Sequence, residues 1–266
     1  MRTAQRMGLD AAVFVGTLGC CSAMAHAQSD EATKQPHWDA AASIQHGQTF
    51  ATLVPPGSNE ASFTTVTMLT GYDAAYDSLA MRAHADTRIW GPVDFRAGMT
   101  YVPNGVSGSV QPHLGLRVRL LNQDSQGIDL AVGAFYRMER FTPDDGMLQG
   151  LLTAAWHHER LGVFANLAYG QDGEGDDRES DVVLGAVYEL RHDLHLGVEA
   201  HTRFDLGSTD PRRAMRNDSK LDAYVAPTFS YSFGPIAVLA QVGASTTHRD
   251  QWRTGVLALG GLAGAY

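Results

Sequence analysis

The sequence predicts an all-β fold, a transmembrane antiparallel up-and-down β-barrel of about twelve strands. Three observations point there. Apolar and polar residues alternate with a period of two over stretches of about 10–12 residues, longer than the five or six usual in soluble sheets. The connections are mostly longer at one end of the strands and shorter at the other. The aromatic residues gather at both strand ends on the apolar parity.

The chain opens with "MRTAQRMGLDAAVFVGTLGCCSAMAHAQS". Arg2 and Arg6 precede an apolar run that ends at Ala25-His26-Ala27, the order of a cleaved export signal, so residues 1–27 are read as a signal peptide. Both cysteines of the chain, Cys20 and Cys21, leave with it, so the mature protein has no disulfide and no thiol chemistry. The formal net charge of −9 becomes −10 once Arg2, Arg6 and Asp10 are removed, which argues against nucleic acid as a partner. Residues 28–60 are polar, contain Trp38 and end in "LVPPGSNE"; they are read as a periplasmic segment. Alternatively "HWDAAASIQ" and "QTFATLV" add a strand pair and make fourteen.

The barrel is placed in residues 61–266. Its first two strands fall near Ala61–Tyr72 and Ser78–Ile89, the second carrying Arg82, Asp86 and Arg88 on its inward parity. "PVDFRAGMTYV" sets Val93, Phe95, Ala97, Met99 and Tyr101 outward against Asp94 and Arg96. "VQPHLGLRVRL" turns His113, Arg117 and Arg119 inward, and "IDLAVGAFYRM" does so with Asp129 and Arg137. A strand near Gly150–Glu159 is followed by "LGVFANLAYG" and by "DVVLGAVYEL", the last with Asp181 and Glu189 inward. "DLHLGVEAHTRFD" alternates most strictly: Leu194, Leu196, Val198, Ala200, Thr202 and Phe204 on one face, Glu199, His201 and Arg203 on the other. Strands near Leu221–Ser232, with Asp222 inward, Ile236–Thr246 and Gln251–Tyr266 complete the set. Pro112 and Pro227 each delete a ladder donor and count against a regular closed sheet.

Eleven residues span about 36 Å, and tilted by about 40° they cover roughly 27 Å, close to the ~25 Å apolar band of an outer-membrane barrel. With the N-terminus in the periplasm, "YDAAYD", "VPNGVSG", "ERFTPDDGML", "QDGEGDDRES" and "LGSTDPRRAMRNDSK" become outer loops. "WGP", "NQDSQG", "ERLG", "RHD" and "FGP" become periplasmic turns. Tyr101, Tyr136, Tyr169, Phe204 and Trp252 then ring the outer rim, and Phe95, Trp156, Tyr188, Phe229, Tyr231 and Tyr266 the inner one.

These segments resemble the broad class of Gram-negative outer-membrane β-barrel proteins. "LGGLAGAY", with Gly261 and the terminal Tyr266, looks like the C-terminal assembly signal of that class. The resemblance implies export, residence in the outer membrane among lipid and lipopolysaccharide, and insertion by the barrel-assembly machinery. It does not choose among pores, enzymes and anchors.

The inward charges carry both signs about equally. Two readings follow: a narrow channel for passive passage of small polar solutes, or a closed structural or surface-interaction barrel with a salt-bridged lumen. Glycines on the inward parity, among them Gly98, Gly115, Gly133, Gly185 and Gly197, are expected to leave space for water, so the charges near them are expected to be solvated. A lipid hydrolase would need a nucleophile beside His157 or His158, and no serine lies two or four residues away on their strand. No cofactor is expected. Asp172, Glu174 and Asp176 have the spacing of part of a calcium loop, but a solvated acidic loop is the ordinary identity of such a run, and no metal site is assigned. Arg212, Arg213 and Arg216 could touch lipopolysaccharide phosphates.

Overall fold

The computed structural model describes residues 64–75, 78–102, 109–139, 142–173, 177–208, 220–234, 236–248 and 251–265. The signal and periplasmic segments expected in residues 1–60 lie outside them, as does Tyr266.

Twelve strands follow one another: β1 (Thr64–Asp73), β2 (Ser78–Trp90), β3 (Val93–Val102), β4 (Ser109–Leu121), β5 (Asp129–Glu139), β6 (Thr142–His158), β7 (Leu161–Asp172), β8 (Asp177–Arg191), β9 (Leu194–Ser208), β10 (Leu221–Phe233), β11 (Ile236–His248) and β12 (Trp252–Ala265). Each pairs antiparallel with its sequence neighbours, and β1 pairs with β12, so the sheet is a closed barrel. Closure satisfies the edge hydrogen bonds that an open sheet would expose to lipid.

The turns on the side of the chain ends are tight. Gly91 and Gly234 take positive φ there, at 50° and 63°. "NQDSQG" contains a helical turn, α1 (Gln123–Gln126), ended by Gly127 at φ 79° with its N–H on the Gln123 carbonyl. Arg191 pairs with Asp193 at 3.1 Å in the β8–β9 turn.

The outer connections are shorter than expected. "ERFTPDDGML" is mostly strand, since β5 runs to Glu139 and β6 begins at Thr142. Its Pro, Asp and Gly residues read as a loop, but the hairpin continues beyond the apolar band, where polar side chains cost nothing. Tyr136 lies across Gly146, leaving no room for a Cβ.

The two prolines are accommodated locally. Pairing of β10 with β11 is interrupted between Val225↔Ala244 and Thr228↔Gln241, opposite Ala226-Pro227. Pro112 lies just beyond the first β4–β5 pair, His113↔Arg137. In both places the sheet already lacks the pair that a proline would spoil.

An apolar belt covers the outside: Leu116, Leu152, Leu167, Leu184, Val198, Val225 and Val242 are all exposed. Such a continuous surface is intolerable in water and is what lipid requires. Tyr101, Tyr169, Phe204 and Trp252 sit outward toward the loop side, and Phe95, Trp156, Tyr188 and Phe229 toward the turn side, all exposed. Tyr136 and Tyr231 are half-buried, and Tyr231 packs edge-on against Phe233 at 4.5 Å.

Candidate functional site

The barrel interior falls into an occupied half near the turns and an open chamber toward the outer connections. The occupied half begins with cross-strand charge pairs. Asp86 and Arg96 stand directly opposite on β2 and β3, and the guanidinium donates to both carboxylate oxygens at 2.6 and 3.0 Å. Directly opposed residues face each other at the closest cross-strand spacing, so the register itself creates the pair. Asp94 on β3 accepts from Arg117 on β4 at 3.1 Å and from Arg88 on β2 at 3.4 Å. All of these except Arg88 are buried, with side chains 2–4% exposed. The expectation of solvated charges is therefore corrected for Asp86, Asp94, Arg96 and Arg117. Arg119 lies inward one step nearer the turns, beside a β4–β5 register shift.

The inward glycines explain the correction. Gly115 and Gly133 make the slot in which the Phe135 ring lies, and Gly185 makes the one for Phe164. A Cβ at Gly98 would fall 2.7 Å from His113 Nε2, and one at Gly197 2.6 Å from Thr228 Oγ1. These glycines make room for protein, not water. Phe135 is 2% exposed, with the Arg96 guanidinium 5.9 Å from its ring centre. Neither phenylalanine was marked by the sequence reading, although both carry the inward parity.

Around the rest of this half, small polar side chains alternate with a buried apolar cluster, Leu69, Ala237, Leu239, Leu259 and Ala263, on β1, β11 and β12. Thr65, Thr67, Thr153, Ser230 and Ser232 are buried, and their hydroxyls have no hydrogen-bond partner among the described residues. Glu199, 1% exposed, accepts the Tyr224 hydroxyl at 2.5 Å. Two expected lumen acids sit at the turn-side rim: Asp129 accepts the Gln123 N–H at 3.0 Å, and Glu189 pairs with His192 at 2.9 Å.

Above this lies a cavity of about 440 Å³. Arg82, Arg96, His113 and Arg137 line one side; Asp181, His201, Arg203 and Asp222 line the other. Glu179, at the outer edge, joins them: Arg137 and Arg203 each reach it at 2.9 Å, and Gln149 donates to it at 2.7 Å. Asp181 holds His201 at 3.0 Å, and the His201 ring lies 5.2 Å from that of Tyr224. Asp222 accepts the Thr247 hydroxyl at 2.8 Å and faces Arg203 at 3.9 Å. The β-period thus brings eight of the expected lumen residues to one chamber. Glu179, Gln149 and Tyr224 were missed; their inward parity was the available signal.

The histidines considered as catalytic bases are separated. His157 faces inward at the turn-side rim, its N–H on Gln123 Oε1 at 2.8 Å, whereas His158 is exposed and stacked on Trp156 at 5.9 Å. Asp172 ends β7, and Glu174 and Asp176 lie outside the described residues.

The barrel has solved counterparts in fold. The NanC porin superposes with a TM-score of 0.52 at 14% identity, covering 75% of this chain and 98% of that one. The KdgM porin gives a TM-score of 0.55 at 9% identity, covering 76% and 99%. The chain has the outer-membrane β-barrel fold. No protein-family model matches the chain, and no curated protein matches its sequence. The outer-membrane barrel is thus recognised by its architecture, and its interior has to be read from its own residues.

Proposed function

We propose that this outer-membrane barrel is a narrow channel for passive passage of small polar solutes, with the 440 Å³ chamber as its outer vestibule. The observation that carries this reading is a set of buried hydroxyls below the chamber. Thr65, Thr67, Thr153, Ser230 and Ser232 present buried hydroxyls with no partner among the described residues. Buried polar groups need hydrogen bonds, and water admitted as the side chains along this wall shift would supply them. A barrel closed only for stability would gain by filling these positions with apolar side chains. The porin fold of the solved counterparts supports the same reading. Export through the segment ending at Ala27, assembly by the barrel-insertion machinery and contact with lipopolysaccharide belong to the same proposal.

A second reading rests on a different observation. The pairs Asp86–Arg96 and Asp94–Arg117 are buried and hydrogen-bonded, as expected of a closed barrel held by an internal salt-bridge network. Planar-bilayer recording of the purified, folded protein separates the two. Discrete conductance steps are expected; a silent bilayer from protein that shows the heat-modifiable gel mobility of a folded barrel would select the closed structural barrel.

A further inference from the structure

The chamber is polar, and its charges are sorted around the wall. On β2–β5 the lining residues include Arg82, Arg96 and Arg137, with His84 and His113, and none of the lining residues on those four strands is acidic. Across the chamber, β8 and β10 contribute Asp181 and Asp222. Acids hold arginines on both sides: Glu179 draws Arg137 and Arg203 at 2.9 Å each, and Asp86 holds Arg96 at 2.6 Å, so Arg82 carries the charge of the basic arc. Asp181 is held by His201 through Oδ1, and a carboxylate retains acceptor capacity on its second oxygen. The remaining acid, Asp73 at the edge of β1, accepts the Ser245 hydroxyl at 2.6 Å and the Ala75 N–H at 2.8 Å.

Apolar residues contribute to both gaps between these charged arcs, beside Asn166 on β7 and Asp73 on β1. Leu69, Leu257 and Leu259, on β1 and β12, form one patch; Leu151 and Ala168, on β6 and β7, form the other. All five line the chamber and none faces lipid; at 3–8% exposure each presents a small part of its side chain to it.

We propose that the chamber binds zwitterionic short peptides with apolar side chains. The carboxylate terminus faces the Arg82 arc, the ammonium faces Asp181 and Asp222, and the side chains rest on the two leucine-lined patches. A simple anion gains one arc and is repelled by the other, and a simple cation fares no better. Size narrows the choice further. A compact cavity of about 440 Å³ is roughly 9 Å across, within the range of small-molecule sites. Each residue extends a chain by about 3.3–3.6 Å, so the end charges of a di- or tripeptide stand several ångströms apart, whereas those of a free amino acid share one carbon. The proposal adds a ligand class to the channel reading and depends on that reading for transport alone.

The test is calorimetric titration of the full-length refolded barrel in detergent with leucyl-leucine, its N-acetylated form and its C-terminal amide. Leucyl-leucine should bind, and each blocked form, having lost one of the two charges, should bind about ten-fold more weakly or worse. Arg82→Gln should weaken leucyl-leucine and leave the amide unchanged, and Asp181→Asn should weaken leucyl-leucine and leave the acetylated form unchanged. Equal binding of the acetylated form would reduce the chamber to an anion site, and equal binding of the amide to a cation site; either overturns the proposal. Absence of heat with all three, from barrel of heat-modifiable mobility, overturns it as well. The comparison among ligands needs only wild-type protein. Binding without conductance in bilayers would refute the channel and keep the site.

Discussion

Removing the Phe135 ring probes the packed part of the interior. The ring lies across Gly115 and Gly133 at 2% exposure, immediately below the chamber. In a dry core, Phe→Ala loses the transfer free energy and leaves a cavity, together about 3–5 kcal/mol. Where water can enter the vacated slot, the cavity contribution falls away and the transfer free energy alone remains, about 1.5–3 kcal/mol. The channel reading therefore expects Phe135→Ala to cost the smaller amount in urea unfolding and to raise single-channel conductance, because the constriction widens. Conductance unchanged from a conducting wild type would show that Phe135 does not bound the path. A loss at the upper end of the larger range, with both proteins silent in bilayers, would mean that the ring is ordinary core and the channel reading fails.

Three further predictions follow from the described contacts. Val198 faces lipid and Glu199 the interior, so Val198→Arg should destabilise the barrel by about 2–4 kcal/mol in unfolding assays. Glu199→Gln, which keeps an acceptor for Tyr224, should cost only about 1 kcal/mol; equal losses would contradict the strand parity. Arg117→Ala should cost about 3–5 kcal/mol, since it strips a partner from the buried Asp94 carboxylate; a loss under about 1 kcal/mol would indicate a solvated charge. In the β8–β9 turn, the Tyr231 hydroxyl, with the Arg191 guanidinium also contributing, holds Asp193 below the usual carboxylate range. A depressed folded-state pKa gives stability that is present above the unfolded value of about 3.9 and is lost as pH falls through the folded one. Asp193→Asn should flatten the acid limb of the stability–pH curve below about pH 4, and an unchanged limb would remove Asp193 from that account.

Period-two alternation made the fold legible. A strand puts successive side chains on opposite faces, and a one-residue slip would expose Glu199 and Arg203 to lipid, so the pattern fixes inside and outside together. The girdle aromatics were legible for the same reason, each being bound to one parity and one strand end. Occupancy of the lumen was not legible. Parity states which way Phe135 points and puts Gly133 beside it on the same face of β5, but not that Gly115 lies across from it, because that meeting depends on the stagger of β4 against β5. An inward glycine reads identically whether it admits water or a ring. The charge pairs had the same ambiguity: Asp94 and Arg96 could be solvated until their direct opposition to Arg117 and Asp86 was known.

Thr67 stands directly opposite His84 of β2, at the border of the charged arc. It is fully buried on β1, and its hydroxyl has no partner among the described residues. Charge pairs on β2–β4 and Phe135 on β5 occupy one arc of the barrel, so the channel reading puts its water path along the other arc. There Thr65, Thr67 and Ser230 offer short polar side chains, inward on β1 and β10, beside the apolar cluster of Leu69, Ala237 and Ala263. Thr67→Val keeps the shape and deletes the oxygen. If this arc is dry, the substitution removes an unsatisfied hydroxyl and should stabilise the barrel by about 1–3 kcal/mol without altering conductance. If water runs along it, valine discards a hydrogen bond to that water, so stability should stay level or fall slightly while conductance drops. Unfolding in urea and bilayer recording on the same preparation separate the outcomes. A stability gain above about 1 kcal/mol with conductance unchanged would place the path elsewhere and take away the observation on which the channel reading rests.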